Sequence, residues 1–243
     1  MDSALYVVAA AGLFLAGVVK GATGLGYASC ALPFLVASVG LRPAMALVLI
    51  PAMATNINVA LTAGHLQETA RRFKSLYLAM VPGIFVGVVL LLWINQQLAV
   101  ICLGLIIIAY VLLALLKPTL SLNRTIEARL MVPTGFCNGV ITGLTGSQVM
   151  PLFPYMMALD LAPNQLVQAI NLGVMLASVA LGFGLLATGI MTWSLLLASM
   201  IAIIPALFGV RIGTLARAHI PLDKFRLVVL NILFFTGMLL IIR

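Results

Sequence analysis

Long, uninterrupted runs of apolar residues dominate this chain, and Val100–Leu116 and Leu227–Ile242 are two of them. A helix needs about 20 predominantly apolar residues to cross the hydrocarbon core of a bilayer. A transmembrane β-barrel would instead show segments of about ten residues in which apolar and polar residues alternate. The continuous runs therefore predict transmembrane helices and argue against a barrel.

The composition agrees with a chain that lies almost wholly in a membrane. Of its 243 residues, 64% are apolar and 7% are charged, whereas soluble domains average roughly 45–50% and 25%. A soluble domain of this length could not bury so much apolar surface, and disordered chains have the opposite balance. We expect an all-α polytopic membrane protein with at most about ten spans, which leaves no length for a separate soluble domain.

Apolar segments bounded by Gly, Pro and charged residues divide the chain. They fall at 4–19, 27–40, 43–63, 75–94, 98–116, 130–145, 147–159, 164–187, 192–212 and 225–242. The segments at 27–40 and 147–159 have roughly 13–14 residues, which is short for a full span. Each is predicted to be either a tightly packed helix or a half-helix that dips into the bilayer, and the sequence leaves that choice open.

The basic residues predict the orientation. Ten of the 13 Lys and Arg residues lie in three predicted loops, at 64–74, 117–129 and 211–226. Because cytoplasmic loops are enriched in Lys and Arg, these loops are expected to share the cytoplasmic face, with both termini on the other side. If the two short segments instead fused with their neighbours into broken spans, the basic loops would divide roughly evenly between the faces, which the same rule disfavours.

Glycine and proline recur at a fixed distance near half the chain length. Gly17 precedes Pro33 by sixteen residues, and Gly135 precedes Pro151 by the same number, so the two pairs match at an offset of 118. Further on, Leu41-Arg-Pro43 matches Leu161-Ala-Pro163 at an offset of 120. Such self-similarity predicts an internal repeat.

The repeat predicts the domain organisation. Residues 1–116 would form a first membrane repeat, 117–129 a cytoplasmic linker and 130–243 a second membrane repeat. Each half then holds about five helical elements, some of which are short enough to be half-helices. Because that number is odd, the second half begins at the opposite face, which gives an inverted-topology repeat. This architecture is typical of secondary transporters, whose substrate lies near the midplane between the repeats.

Two glycine-rich segments are the most informative motifs. The first is Gly17-Val-Val-Lys-Gly-Ala-Thr-Gly-Leu-Gly26, and the second is Thr142-Gly-Leu-Thr-Gly-Ser-Gln148. Small residues at helical spacing are typical of close helix–helix packing. Alternatively, the helix breaks around Thr23–Ala28 and exposes backbone N–H groups, which bind anions at a helix N-terminus. Two facing copies would make a two-sided cradle for an oxyanion.

These segments resemble the sulfite exporter TauE/SafE family of membrane permeases, whose signature is a duplicated glycine-rich segment that runs into a proline. Gly17 to Pro33 is similar to the first copy and Gly135 to Pro151 to the second. The resemblance covers essentially the whole chain. It implies a multi-pass protein of the bacterial inner membrane that transports sulfur-containing anions such as sulfite, thiosulfate or organosulfonates, usually without ATP.

Polar residues within the apolar segments are the candidate substrate ligands. Lys20 is a basic residue inside a glycine-rich motif. A charge within the membrane costs at least ~2.5–3.5 kcal/mol, so Lys20 is either a functional residue or one whose side chain extends to the interface. At the offset of 118 it aligns with Asn138. Asn56 and Asn171 lie deep in their segments, where amides either join helices or line a cavity. The predicted substrate-binding residues are Lys20, Thr23, Gly24, Asn56, Thr145, Ser147, Gln148 and Asn171.

Other functions lack the residues that they need. The sequence shows neither a His, Cys and carboxylate cluster for a metal nor a Walker-type loop for ATP. Ser147 could serve as a nucleophile, but the two histidines, His65 and His219, lie at or near basic loops, so the base that a serine protease needs is missing. We therefore expect no enzymatic activity and no cofactor.

The leading hypothesis is a secondary transporter for a small anion that works by alternating access. The alternative is an anion channel that uses the same residues. A proton or a sodium ion could couple the transport, and a homodimer is compatible with the sequence. The lipid bilayer is the other expected partner. No basic run interleaved with aromatic residues points to nucleic acid.

Overall fold

The computed structural model describes residues 3–24, 26–62, 64–116, 121–216 and 222–242, and within these ranges it contains helices and no strand. The prediction of an all-α polytopic membrane protein is therefore confirmed. The helices are α1 (Ser3–Thr23), α2 (Tyr27–Val39), α3 (Leu41–Thr62), α4 (Leu66–Arg72), α5 (Lys74–Trp93), α6 (Gln96–Leu116), α7 (Arg124–Thr145), α8 (Leu152–Met157), α9 (Pro163–Ala187), α10 (Trp193–Ile201), α11 (Ile203–Ala216) and α12 (Leu222–Ile242).

Most of the predicted segments correspond to helices. Within the described residues, Lys74–Trp93, Gln96–Leu116, Pro163–Ala187 and Trp193–Ala216 are each long and apolar enough to cross a membrane. The segment predicted at 192–212 divides at Ala202 into α10 and α11. The sequence analysis missed α4, because a seven-residue helix that carries Glu68, Arg71 and Arg72 has no apolar run.

The two short segments fold as half-helices. α2 has 13 residues and is therefore about 20 Å long, which is less than the roughly 30 Å of a bilayer core. α8 has six residues, and the rest of the predicted segment at 147–159 is mostly irregular. A half-helix that ends inside the bundle leaves unpaired backbone groups there, which need buried partners or a ligand.

Glycines in the left-handed conformation break both glycine-rich segments. Gly24 has a φ of 79° and Gly26 a φ of 84°, and the chain turns there from α1 into α2. Gly146 has a φ of 76° and ends α7. Only glycine adopts this conformation without a steric penalty. The break predicted around Thr23–Ala28 is therefore confirmed.

The other glycines of the first motif pack one helix against another. A Cβ atom at Gly17 or Gly21 would overlap a backbone carbonyl oxygen of α11, and one at Gly209 or Gly213 would overlap a carbonyl oxygen of α1. Gly17 lies against Ala206, and Gly21, four residues on, lies against a residue of α11 that is also four residues on. The two helices therefore run parallel and touch along small residues.

The second motif makes the same kind of contact. A Cβ atom at Gly139 or Gly143 of α7 would overlap a carbonyl oxygen of α5, and one at Gly83 or Gly87 would overlap a carbonyl oxygen of α7. These contacts also advance in step, so α5 and α7 run parallel. Both structural roles considered from the sequence therefore apply to the glycine-rich segments. Some glycines lie where two helices pack closely, and others lie where a helix ends.

The ends of α1 and α7 are built alike. The Thr23 hydroxyl donates to the carbonyl oxygen four residues earlier at 2.8 Å, and the Thr145 hydroxyl does the same at 2.7 Å. A left-handed glycine follows each threonine, Gly24 in one case and Gly146 in the other. These two helix ends differ in residue number by 122, whereas Gly135 and Gly139 both make the carbonyl contact that Gly17 makes.

The number differs from the offset of 118 that the glycine and proline spacing suggested. The two offsets differ by four residues, which is about one helical turn, and a shift of one turn keeps small residues on nearly the same helix face. Counted from the helix ends, Lys20 corresponds to Thr142, whereas the glycine and proline spacing pairs it with Asn138.

Contacts at one end of the bundle show which helix termini lie together. The Arg72 guanidinium donates two hydrogen bonds of 2.9 Å to the carboxylate of Glu127, which raises the pKa of Arg72 above its ordinary value. Gln165 donates to Glu68 at 3.3 Å. α4 and the N-termini of α7 and α9 therefore meet at one end, which we call the Arg72 end. The described parts of the predicted loops 64–74 and 117–129 both lie there.

The helix directions follow from this end. α9 starts at the Arg72 end and has 25 residues, so it is about 37 Å long and ends on the opposite side. α10 begins there, and α11 runs back toward the Arg72 end. α1 is parallel to α11 and also runs toward the Arg72 end, whereas α7 starts at that end and runs away from it. Of the third basic loop, residues 217–221 lie outside the described residues.

Candidate functional site

A cavity lies where α1 turns into α2. Its volume is about 30 Å³, which is room for on the order of two water molecules. The first turn of α2, the middle of α9 and the segment after α7 all contribute to its wall. It is lined by Lys20, Gly26, Tyr27, Ala28, Ser29, Asn56, Gln148, Val149, Leu152, Phe153, Ile170, Asn171 and Val174.

The charge of this cavity comes from Lys20. Its side chain is 4% exposed, and its Nζ donates to the Oδ1 atoms of Asn56 and Asn171 at 2.6 and 2.5 Å. The lysine therefore joins α1 to α3 and α9. It does not extend along the helix to the interface, which was the alternative considered from the sequence.

The orientation of both asparagines is fixed by their own helices. The Asn56 Nδ2 donates to the carbonyl oxygen of Ala52 at 2.8 Å, and the Asn171 Nδ2 donates to that of Val167 at 2.8 Å. Because a carbonyl oxygen can only accept, each amide must turn its nitrogen to the helix and its oxygen to Lys20. The two amides therefore hold the lysine with their oxygens, and each uses one of its two N–H donors on its own helix.

Gln148 adds a third amide to the cavity wall. Its Nε2 donates to the Ser178 hydroxyl at 2.9 Å, and that hydroxyl donates to the Val174 carbonyl oxygen at 2.9 Å. The single O–H donor of Ser178 is used in this second bond, so the hydroxyl can only accept from Gln148. The Gln148 atom that faces it must therefore be the nitrogen. The Gln148 Oε1 is buried and has no hydrogen-bond partner.

The first turn of α2 supplies backbone donors. The Cys30 amide donates to the Gly26 carbonyl oxygen at 3.1 Å, so the amides of Tyr27, Ala28 and Ser29 precede the first hydrogen bond within the helix. These three residues line the cavity. The N-terminus of a helix carries a partial positive charge and binds anions. Lys20 and this helix start therefore bring positive potential to one place.

The opposite wall is apolar. Leu152 and Phe153 of α8 and Ile170 and Val174 of α9 line it, and the ring of Phe153 packs edge-on against Tyr110 at 5.6 Å between centroids. The cavity is therefore polar on the side of Lys20 and apolar on the side of α8. Such a site suits a small anion that carries an apolar portion better than a fully hydrated ion.

The structure brings together half of the predicted site residues. Lys20, Asn56, Gln148 and Asn171 line one cavity. The remaining four are not among its lining residues: Thr23 ends α1 and Gly24 follows it, and Thr145 and Ser147 are buried at the end of α7.

Sequence reasoning missed Ser29, Ser178 and the apolar wall. Ser178 lies seven residues after Asn171, which places both on one face of a helix, so the spacing could have indicated it. The apolar residues could not be recognised, because nothing distinguishes them from the rest of an apolar helix. Within the described part of the chain, no group of three or more His, Cys, Asp or Glu residues could hold a metal ion.

The architecture defines a class: a polytopic helical membrane protein with half-helices that meet at a buried cationic cavity. The chain matches the family of sulfite exporters described as TauE/SafE over residues 9–240. It belongs to that family, which confirms the resemblance, and the family is one of membrane transporters of sulfur-containing anions. Searches of curated proteins and of solved structures gave no match.

Proposed function

We propose that this protein is a secondary transporter of a small sulfur-containing anion such as sulfite, thiosulfate or an organosulfonate, and that the anion binds at Lys20. The observation that carries the proposal is the Lys20 ammonium, which is buried and held by neutral amide oxygens. An unmatched charge in a low-dielectric interior is costly, and an anion would match it.

The cavity holds a net positive charge. None of the described residues that line it is acidic, so the ammonium has no carboxylate to neutralise it there. Lys20 has three donors, and the two asparagines use two of them. The third donor and the amides at the start of α2 remain for the oxygens of an anion. Backbone donors stabilise an anion without a second full charge, which would slow its release.

The size of the cavity supports a carrier. About 30 Å³ holds on the order of two water molecules, so an anion with its hydration shell cannot pass through the cavity as it stands. Helices must move before the anion enters or leaves. A channel with the same residues would need a continuous pore.

Helix direction supports alternating access between two inverted repeats. α1 and α7 run in opposite directions, each pairs in parallel with a glycine-lined helix of the other half, and each ends in a threonine and a left-handed glycine. The ligands of Lys20 come from α3 in the proposed first repeat and α9 in the second. A site held by both repeats changes its access when one repeat moves against the other.

Exchange in proteoliposomes tests the proposal. We expect uptake of radiolabelled sulfite to saturate and to accelerate when unlabelled sulfite, thiosulfate or methanesulfonate fills the lumen, because a loaded carrier reorients faster than an empty one. Sulfate and acetate serve as the comparison anions. Flux that rises linearly with sulfite concentration and does not depend on the luminal anion would favour the channel.

A further inference from the structure

The side chains of three amide residues line the cavity, and the oxygens of two of them contact a cation. The Oδ1 atoms of Asn56 and Asn171 contact the Lys20 ammonium, and the Oε1 of Gln148 is buried without a partner. The hydrogen bonds from the three amide nitrogens to Ala52, Val167 and Ser178 keep these oxygens in place. These amide oxygens, which we call the amide cage, therefore keep their positions as long as those hydrogen bonds hold.

Neutral oxygens of this kind are also the ligands of hard metal cations in proteins. Transporters bind coupling sodium ions with carbonyl oxygens near breaks in their helices. In this chain the ammonium of Lys20, attached to α1 beside such a break, lies where two amide oxygens converge. We propose that Lys20 is a built-in cation that takes the place of a coupling sodium ion at the anion site.

The consequence concerns coupling and rests on the proposed transport function. A carrier with a sodium site binds anion and sodium together, so its flux follows the sodium gradient. Here the cation is covalently attached and never leaves, so anion binding requires no sodium. Wild-type sulfite flux in proteoliposomes should be the same in sodium and in choline chloride.

Removal of the side chain should turn the cage into a sodium site. Lys20→Ala leaves the amide oxygens of Asn56 and Asn171 without their donor, in a cavity that Gln148 also lines, and each buried acceptor without a donor is destabilising. A sodium ion would satisfy them. A ligand that binds only the folded state raises its stability, and 1 kcal/mol corresponds to about 2–4 °C in Tm for a domain of this size.

The test compares thermal unfolding of purified full-length variants in sodium chloride and in choline chloride at equal ionic strength. We expect sodium to raise the Tm of Lys20→Ala by about 2 °C or more and to leave the wild type unchanged. In Lys20→Met the longer apolar side chain fills the space, so sodium should have no effect. Lys20→Ala combined with Asn56→Ala removes one ligand and should lose the sodium response.

Several results would overturn the inference. Sodium that stabilises the wild type, or Lys20→Met, as much as Lys20→Ala binds elsewhere. Absence of any sodium response in folded Lys20→Ala contradicts the cage. If Lys20→Ala fails to fold, sulfite flux of the wild type in sodium and in choline chloride provides the test. Flux that requires sodium refutes the inference while leaving the transport function intact. The unfolding measurement needs no flux, so the inference can also stand if sulfite proves not to be the substrate.

Discussion

At the residue scale, Lys20 is the charged residue among the described residues that line the cavity. An intramembrane lysine costs about 2.5–3.5 kcal/mol, and a hydrogen bond to a charged group contributes about 1.5–3 kcal/mol. The two bonds to Asn56 and Asn171 therefore offset a cost of that order. Because both partners are neutral amides, they do not cancel the charge of Lys20, which in the proposed function attracts the anion.

Replacement of one partner by a carboxylate should abolish that attraction. In Asn171→Asp the new carboxylate would pair with Lys20 and repel an incoming anion, while the side chain keeps nearly the same volume. We expect affinity for radiolabelled sulfite, measured on purified protein, to fall at least about tenfold, which is 1.4 kcal/mol.

Asn95→Asp is the matched control. Asn95 lies exposed in the turn before α6, where its Oδ1 accepts from the Gln97 amide at 3.0 Å, a role that a carboxylate fills equally well. Its affinity for sulfite should equal that of the wild type. Unchanged binding in folded Asn171→Asp would mean that the anion does not meet Lys20.

The sequence predicted part of this site because polar residues are rare in its apolar segments. Lys20, Asn56, Gln148 and Asn171 could be recognised in this way. The direction in which each amide points could not, since it depends on helix carbonyl oxygens and on Ser178. Thr145 and Ser147 have the same chemistry as ligands, yet they lie in the contact between chain segments at the end of α7.

At the element scale, the glycine-lined helix pairs hold the half-helices in place. α7 ends at buried residues, whereas the last residue of α1 is exposed, and each of the two helices touches a parallel helix backbone to backbone. Close contact of this kind gains van der Waals energy that lipid cannot supply. Because Lys20 lies in the last turn of α1 and α2 begins just after that helix, the position of the cavity depends on how closely these helices approach.

One added methyl group should disturb this contact. In Gly139→Ala the Cβ would overlap the Met80 carbonyl oxygen, so α5 and α7 must separate. Overpacking costs typically about 1–3 kcal/mol, and we expect the Tm to fall by at least about 2–4 °C in detergent-solubilised protein.

Gly237→Ala makes the comparison. A Cβ there would come no closer than 3.1 Å to its nearest neighbour, a side-chain carbon of Ile108, so the helix pair of α6 and α12 can adjust. Its Tm should change less than that of Gly139→Ala. Equal Tm values for both variants would show that the glycine contact does not set the helix distance.

The positions of most helices could be predicted from the length of the apolar runs. The residue-by-residue alignment of the two glycine-rich segments could not be settled in this way. The break near Gly24 followed from glycine content. The ends of α1 and α7 lie 122 residues apart and not 118, and glycines at every fourth residue match almost equally well at either offset. α4 escaped notice because its amphipathic seven residues are stabilised by contacts with α7 and α9, which a local pattern does not reveal.

At the scale of the whole molecule, α1 and α7 run in opposite directions between the Arg72 end and the other end of the bundle. α4 and the N-termini of α7 and α9 share the Arg72 end, together with the described basic residues of two loops. The rule that basic loops are cytoplasmic predicts that this end faces the cytoplasm. The turn between α5 and α6 then faces the other side.

Cysteine accessibility tests this orientation. In a chain whose native Cys30, Cys102 and Cys137 are replaced by serine or alanine, single cysteines at Gln67 and Asn95 mark the two ends. An impermeant maleimide added to intact cells should label Asn95→Cys and not Gln67→Cys, and permeabilised cells should label both. Labelling of Gln67→Cys from outside would reverse the topology.

The central claim, that a sulfur-containing anion crosses the membrane by binding at Lys20, is tested most directly by sulfite flux in matched proteoliposomes. Lys20→Gln removes the buried charge, and Lys74→Gln removes a charge from an exposed position at the start of α5. We predict that saturable uptake of radiolabelled sulfite falls at least about tenfold in Lys20→Gln and stays at the wild-type rate in Lys74→Gln. Wild-type uptake by correctly folded Lys20→Gln would contradict the account.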